Sequence, residues 1–144
     1  MVIVIDTTMI FSLLLGKNFK MRDIFFDSQN EFFSPNYVVV EAFEKKEKIM
    51  RYSVLLEVEL YELLYRMFEK ITFVNENLVS SENKQKAYQL CKDVDEDDTP
   101  IVALALQLGA PVWTGDEKLK KGLKAKGFNS FFEPCYKKDE KGSA

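Results

Sequence analysis

The chain has 144 residues, of which 47% are hydrophobic and 30% charged, and it carries a formal net charge of −3. This size and composition are typical of one globular domain with a substantial core, and they exclude disordered and collagen-like classes. The sequence contains no histidine, which excludes imidazole-based zinc sites and Ser–His–Asp or Cys–His catalysis. The acidic balance argues against a protein that coats nucleic acid over its whole surface.

The apolar segments give no indication of secretion or membrane insertion. The first five residues lack a basic region and run directly into Asp6, so they predict no signal peptide. The most apolar stretch is interrupted by Glu57, Glu59, Glu62 and Arg66 and is not expected to span a membrane. We therefore expect a cytoplasmic protein with reduced thiols.

Hydrophobic patterning predicts an alternation of strands and helices. The continuous β-branched run at residues 2–5 indicates a strand buried on both faces of a parallel sheet. Pro100 near its start and Gly109 at its end delimit the clearest helix of the second half. In chain order the pattern predicts strand 2–5, helix 9–15, helix 21–28, strand 31–34, a helix after Pro35, helix 53–70, strand 71–74, helix 80–92, helix 100–108, strand 111–114, helix 118–126 and strand 129–132.

This alternation determines the expected architecture. Strands separated by helices indicate an α/β fold with three layers, α/β/α, around a central, mainly parallel twisted sheet of four to five strands. We expect one such domain over residues 1–135, followed by a polar, disordered tail over residues 136–144.

Acidic residues stand next to the predicted strand ends. Asp6 follows the first strand, Asp116 follows the fourth, Asp98 precedes the helix before the fourth, and Glu41 lies in the helix after the second. Because ligand sites in such sheets form beyond the carboxyl ends of the strands, these side chains are expected to converge. Their mutual repulsion favours one or two divalent cations, and oxygen ligands suit Mg²⁺ or Mn²⁺. Two such ions can support hydrolysis at phosphorus without histidine.

Each of these carboxylates also has a purely structural interpretation. Asp6 and Asp98 can cap helices, and Asp116 can belong to a turn. Glu41 stands in a surface-type charge run, and Glu44, one turn later, is the alternative residue for the cleft. The other acids of the segment before the clearest helix are interpreted as a solvated acidic loop: Asp93, Asp95, Glu96 and Asp97.

Three motifs in order carry a resemblance to a known family. VIVIDTT at the N-terminus, SPNYVVVEAF near residue 40 and DEDDTPIVALALQLGAPVWTGDEKL near residue 100 together resemble the PIN-domain ribonuclease family over residues 2–132. The resemblance implies that the catalytic acids are Asp6, Glu41, Asp98 and Asp116. Of these it implies that Asp6, Asp98 and Asp116 hold Mg²⁺ or Mn²⁺. The Asp-Thr-Pro junction selects Asp98 over its neighbour Asp97.

The resemblance also implies which residues assist these acids. Thr8 and Thr114 match positions where a small polar side chain supports metal ligands through hydrogen bonds. The lysines after Asp116 are candidates for contacts with substrate phosphates, and they fit a solvated helix face equally well. These lysines are Lys118, Lys120 and Lys121, followed by Lys124 and Lys126.

The activity implied by the resemblance is that of a small, single-domain endoribonuclease. Its substrate would be single-stranded or structured RNA, cut by water to leave a 3′-hydroxyl and a 5′-phosphate. Small members of the family are often the toxin of a toxin–antitoxin pair, inhibited by an antitoxin protein, and others process RNA. Relatives commonly form homodimers, and helix 53–70 offers apolar surface for one through Tyr61, Leu64, Tyr65 and Phe68.

A second class of function remains open from the sequence, a phosphoacceptor or phosphate-binding α/β module without nuclease activity. A response-regulator receiver needs adjacent acids after the first strand, where this chain has Thr7 after Asp6. A haloacid-dehalogenase-like phosphatase needs a second Asp at the position of Thr8.

Overall fold

The structure, a computed structural model, describes residues 1–17, 19–27 and 29–134. The predicted tail at residues 136–144 lies outside these ranges. The strands are β1 (Val2–Ile5), β2 (Glu31–Pro35), β3 (Ile71–Val74) and β4 (Val112–Trp113). The helices are α1 (Thr7–Leu14), α2 (Phe19–Phe25), α3 (Tyr37–Glu44), α4 (Lys46–Tyr52), α5 (Glu57–Lys70), α6 (Ser81–Cys91), α7 (Thr99–Leu108) and α8 (Glu117–Ala125).

The four strands form one parallel sheet in the order β3-β2-β1-β4. The buried strand predicted at residues 2–5 is confirmed, since Ile3, Val4 and Ile5 are fully buried. β2 and β3 lie on one side of β1, and β4 lies on the other side. The strand order therefore reverses between β1 and β4, which makes this a topological switch point of the sheet. The crevice at such a point is where α/β sheets bind ligands.

Helices flank the sheet, which confirms the predicted α/β fold class. α7 packs on β1 and β2 and is covered by α6, while α1 contacts α3 and α5. α7 ends as predicted at Gly109, whose φ of 60° is a left-handed conformation that favours glycine. None of the helices within the described ranges is long and apolar enough to cross a membrane.

The fifth strand predicted at residues 129–132 is absent from the described part of the chain. Phe131 forms an isolated parallel bridge with Val112, in which the Val112 amide donates to Ser130 O at 2.9 Å and the Phe132 amide donates to Val112 O at 2.8 Å. β4 has two residues with which this segment can pair, and Pro111, which precedes β4, has no amide hydrogen to donate. The pairing edge is therefore too short to extend the ladder.

The helix predicted after Pro35 is divided into α3 and α4. Lys45 separates them, with φ of −100° and ψ of 8°. Its amide still donates to Glu41 O at 3.0 Å, so α3 closes its last turn before the chain changes direction. As a result, Lys45 lies at a corner between two helices.

The helix predicted over residues 53–70 begins later, at Glu57. Ser53 Oγ donates to Leu14 O at 2.9 Å and accepts from the Leu55 amide at 3.1 Å, which ties this segment to the end of α1. Leu56 is 72% exposed because it precedes the helix.

Candidate active site

An acidic cleft of about 230 Å³ lies beyond the carboxyl ends of β1 and β4. A larger, open groove of about 970 Å³ runs along α6, but its lining includes exposed side chains such as Gln85, Lys86 and Tyr88. The cleft, in contrast, combines buried polar atoms with a concentration of acids. The six carboxylates that line it belong to Asp6, Glu41, Asp95, Asp97, Asp98 and Asp116.

Asp6 is the most buried of these acids, with 1% of its surface exposed. It follows β1 and caps α1, because its Oδ1 accepts from the Met9 amide at 2.9 Å and from Thr8 Oγ1 at 2.7 Å. Its Oδ2 is buried and has no hydrogen-bond partner among the described residues. Burial raises the pKa of the Asp6 carboxyl, and the hydrogen bonds to it act in the opposite direction. Capping thus uses one oxygen and leaves the other available in the cleft.

A hydroxyl network joins the ends of β1 and β4. Thr8 Oγ1 donates its proton to Asp6, accepts from the Gly115 amide at 3.0 Å and lies 3.3 Å from Thr114 Oγ1. Thr114 Oγ1 in turn accepts from the Asp116 amide at 3.0 Å. The network therefore fixes the two aspartates relative to one another through the side chains of Thr8 and Thr114.

Three of the carboxylates converge closely. One oxygen each of Asp95, Asp98 and Asp116 lies within 4.8 Å of the others. Asp116 caps α8, with its Oδ1 accepting from the Leu119 amide at 3.0 Å, whereas Asp98 precedes α7 without making such a bond. Burial raises the pKa of Asp98 to about 7, and the charges of Asp95, Asp6 and Asp116 add to the effect. At neutral pH about half of the Asp98 carboxyls are therefore expected to hold a proton when no cation is present.

The geometry adds Asp95, which the sequence places in a solvated acidic loop, to the converging carboxylates. Asp95 is exposed, but its carboxylate belongs to the cluster. A short 3₁₀ helix, Glu96–Asp98, follows it, and residues three apart in such a helix lie on one side. The i, i+3 spacing of Asp95 and Asp98 is thus the signal that could have identified it. Asp93, in contrast, pairs with Lys126 at 3.0 Å.

The wall formed by α3 and by Lys45, which directly follows it, contributes three residues to the cleft. Glu41 is half-buried and lines the cleft, and Glu44 is exposed and is not among the described lining residues. Burial raises the pKa of Glu41, and Lys45 opposes this shift. Burial, then the charges of Glu41 and Asp98, raise the pKa of Tyr37, so its hydroxyl keeps its proton. Sequence reasoning identified neither Tyr37 nor Lys45, although Tyr37, Glu41 and Lys45 follow one another at helical i, i+4 spacing.

The lysines predicted to contact substrate do not join this cleft. Lys118 and Lys121 are exposed on α8. The Lys120 side chain is 14% exposed and pairs with Glu117 at 3.4 Å and with Glu133 at 3.7 Å. Within the described part of the chain, the one cation that lines the cleft is Lys45.

The donor groups of the cleft fit a divalent cation. Asp6 Oδ2 and Thr7 Oγ1 are both buried without a hydrogen-bond partner in the described ranges, and both residues line the cleft. An oxygen-only donor set suits a hard cation such as Mg²⁺ or Mn²⁺. A bound cation would also reduce the repulsion among the converging carboxylates.

Comparison with models of protein families gives a match over nearly the whole chain. The family model described as PIN domain matches residues 4–133, from β1 to just beyond the Phe131 bridge. None of the curated proteins matches the chain.

Proposed function

The chain belongs to the PIN-domain family, and on this premise we propose that it is a metal-dependent endoribonuclease that hydrolyses RNA phosphodiester bonds. PIN domains are generally nucleases that act on RNA and typically use divalent metal ions. The observation that carries the proposal is the buried, unpartnered Asp6 Oδ2 in a cleft lined by five further carboxylates. Such an oxygen is costly to bury unless a ligand satisfies it.

We assign the metal-binding role to Asp6, Asp98 and Asp116, with Asp95 beside them. Mg²⁺ or Mn²⁺ bound there would supply neutralisation of the phosphodiester charge and activation of water. Thr8 and Thr114 keep the Asp6 and Asp116 carboxylates oriented through the hydrogen bonds described above.

Glu41 and Tyr37 have separate roles in the proposed reaction. A carboxylate with a raised pKa is a stronger base than an exposed one, so Glu41 is suited to accept a proton from the attacking water at a carboxylate oxygen. The protonated Tyr37 hydroxyl can donate a hydrogen bond to a phosphate oxygen. Water attacks phosphorus as its proton passes to Glu41, the bond between phosphorus and the 3′ oxygen breaks, and the 3′ oxygen takes up a proton from solvent, which gives a 3′-hydroxyl and a 5′-phosphate. Lys118 and Lys121, exposed on α8, are proposed to contact phosphates outside the cleft.

The test is cleavage of a mixed pool of structured RNA with Mg²⁺ or Mn²⁺, compared with EDTA and with Asp6→Asn. We expect cutting that requires the metal, disappears in Asp6→Asn and leaves 5′-phosphate ends. Ends that carry a 2′,3′-cyclic phosphate would contradict attack by water. Metal binding without cutting of any RNA would favour the phosphate-binding module instead.

Two biological roles are proposed for such an enzyme, RNA processing and the toxin of a toxin–antitoxin pair that an antitoxin inhibits. Expression in a bacterial host separates them. Growth arrest by the unaltered chain that Asp6→Asn relieves would support the toxin, and normal growth with altered RNA ends would support processing.

A homodimer through α5 is a further proposal about assembly. Tyr61 and Tyr65 are exposed on this helix, whereas Leu64 and Phe68 are half-buried and contribute less free surface than the sequence indicated. Sedimentation equilibrium that shows a monomer at high concentration would contradict it.

A further inference from the structure

The acidic cleft needs positive charge close to its carboxylates if a polyanion is to enter it. Six carboxylates line the cleft, and a backbone phosphate near them is repelled. Lys45 is the one cation among the described lining residues. Its position at the corner between α3 and α4 is fixed by its amide, which donates to Glu41 O at 3.0 Å.

The charge of Lys45 is available for a ligand. The ion pairs formed by the described residues do not include Lys45. Lys120, which the sequence suggested for the same task, pairs with both Glu117 and Glu133. An RNA phosphate would have to displace these carboxylates from Lys120, whereas at Lys45 no ion pair of the described residues has to be broken.

An aromatic ring holds the Lys45 side chain in this position. Lys45 Nζ lies 5.7 Å from the centroid of the Phe11 ring, and Phe11 lines the same cleft from α1. An ammonium on a ring face is stabilised by the ring quadrupole, while its N–H groups that point away from the ring can donate to an anion. Phe11 therefore favours one orientation of Lys45 before substrate arrives.

We propose that Lys45 binds a backbone phosphate of the RNA strand in the acidic cleft and that Phe11 is its positioning residue. The proposal rests on the function proposed above. It places a phosphate contact inside the cleft, on the α3 side of the carboxylates, in addition to the contacts proposed outside the cleft for Lys118 and Lys121. Because every RNA sequence has the same phosphate backbone, loss of this contact should weaken the binding of different RNA sequences to the same extent.

The test measures binding in the Asp6→Asn background, so that the RNA is not cut. Fluorescence anisotropy with a labelled RNA oligonucleotide in Mg²⁺ compares Lys45→Gln, Lys45→Arg, Phe11→Leu and the pair Phe11→Leu/Lys45→Gln. Lys48→Gln, an exposed position on α4 with the same change of charge, is the matched control.

We expect Lys45→Gln to raise Kd severalfold and to reduce the slope of log Kd against log salt concentration by about 0.7, the value for one phosphate contact on a single strand. Lys45→Arg and Lys48→Gln should leave Kd and slope nearly unchanged. Phe11→Leu should raise Kd less, and its effect should vanish in the Lys45→Gln background. A merely structural role of Phe11 would persist in that background.

The outcomes separate this proposal from the proposed function. RNA cutting by the unaltered chain, together with equal slopes for Lys45→Gln and Lys48→Gln, would overturn the Lys45 assignment and leave the nuclease intact. Selective loss of binding in Lys45→Gln by a chain that cuts no RNA would support Lys45 and overturn the nuclease. Absence of RNA binding by every variant, together with absence of RNA cutting by the unaltered chain, would overturn both.

Discussion

At the scale of single residues, Asp6 is defined by the different surroundings of its two oxygens. Oδ1 accepts two hydrogen bonds, and Oδ2 accepts none although it is buried. A buried unsatisfied polar group costs about 1–3 kcal/mol, so the ligand-free site holds Asp6 at a cost to stability. A cation that binds Oδ2 would remove this cost, which is the physical reason to place the metal at this residue.

Thr8 is expected to act through Asp6 without touching substrate. Thr8→Val removes the proton donated to Asp6 Oδ1 and the acceptor of the Gly115 amide while keeping the side-chain volume. Loss of such a supporting residue typically lowers metal affinity about 10- to 100-fold. A calorimetric titration with Mn²⁺ measures the change, and Thr8→Ser, which retains the hydroxyl, is the control. Equal affinities for Thr8→Val and Thr8→Ser would show that the network does not orient Asp6.

Asp98 should make metal affinity depend on pH. Its pKa of about 7 means that a cation must displace a proton below neutral pH. The deprotonated fraction rises about tenfold between pH 6 and pH 8, so the Kd for Mn²⁺ should fall by about the same factor. Asp98→Asn should bind weakly at both pH values. A Kd that is constant over this range would contradict the assignment of Asp98 as a ligand.

The position of the main acids could be predicted from the sequence because it depends on topology. Asp6 and Asp116 directly follow strands, and parallel strands bring such residues to one edge whatever the details of the loops. Whether a side chain of the turn before α7 or of α3 faces the cleft depends on the helical phase of that segment, and a run of charged residues does not reveal this phase. This applies to Asp95, Tyr37 and Lys45. Their positions at the cleft become visible when α3 and the turn before α7 pack beside it.

At the scale of helices and strands, contacts between distant segments explain why the helix predicted over residues 53–70 begins later and why the strand predicted over residues 129–132 does not form. Ser53 bonds to the end of α1, and these bonds end the helical pattern that its apolar neighbours suggest. The segment around Phe131 has strand-like composition, but its partner β4 is two residues long. The hydrophobic periodicity of a segment reflects only its own secondary-structure preference, whereas both of these contacts join segments that are far apart in the sequence.

Helix α8 contacts the segment that carries Asp95 at Gly122. A substitution at this glycine tests whether α8 holds that segment in place. A Cβ on Gly122 would lie 2.5 Å from Val94 Cγ1, and Val94 directly precedes Asp95. Gly122→Ala should therefore destabilise the protein by about 1–3 kcal/mol, although alanine favours helices. Urea denaturation measures the change. Val94→Ala/Gly122→Ala should recover most of it, and an alanine variant at Gly122 as stable as the unaltered chain would show that α8 does not fix this loop.

At the scale of the whole molecule, the acidic cluster is expected to make the free energy of unfolding depend on pH. The pKa of the Asp98 carboxyl rises from 3.8, its ordinary value in water, to about 7 in the folded protein, which therefore binds this proton more tightly than the unfolded chain does. The stability that protonated Asp98 contributes is fully present below about pH 4 and is lost as the pH rises through 7. The raised pKa values of Asp6 and Glu41 act in the same direction.

In EDTA we therefore expect a lower urea midpoint at pH 8 than at pH 5.5. Mn²⁺ at 100 times its Kd should add about 2.7 kcal/mol at pH 8, because it binds the folded state. Asp98→Asn should reduce the difference between the two pH values. A urea midpoint in EDTA that is higher at pH 8 than at pH 5.5 would show that the acidic cluster does not dominate the pH dependence of stability.

The central claim is that a buried aspartate at the end of β1 anchors a divalent cation in the cleft. Calorimetric titration of Mn²⁺ into the unaltered chain and Asp6→Asn at pH 8 tests it most directly. Asparagine Oδ1 can accept the same bonds from the Met9 amide and Thr8 Oγ1, so the fold should persist, and circular dichroism checks this. We predict binding to the unaltered chain and a loss in Asp6→Asn that exceeds the roughly 100-fold expected for a supporting residue. Equal affinity in the two proteins would contradict the account.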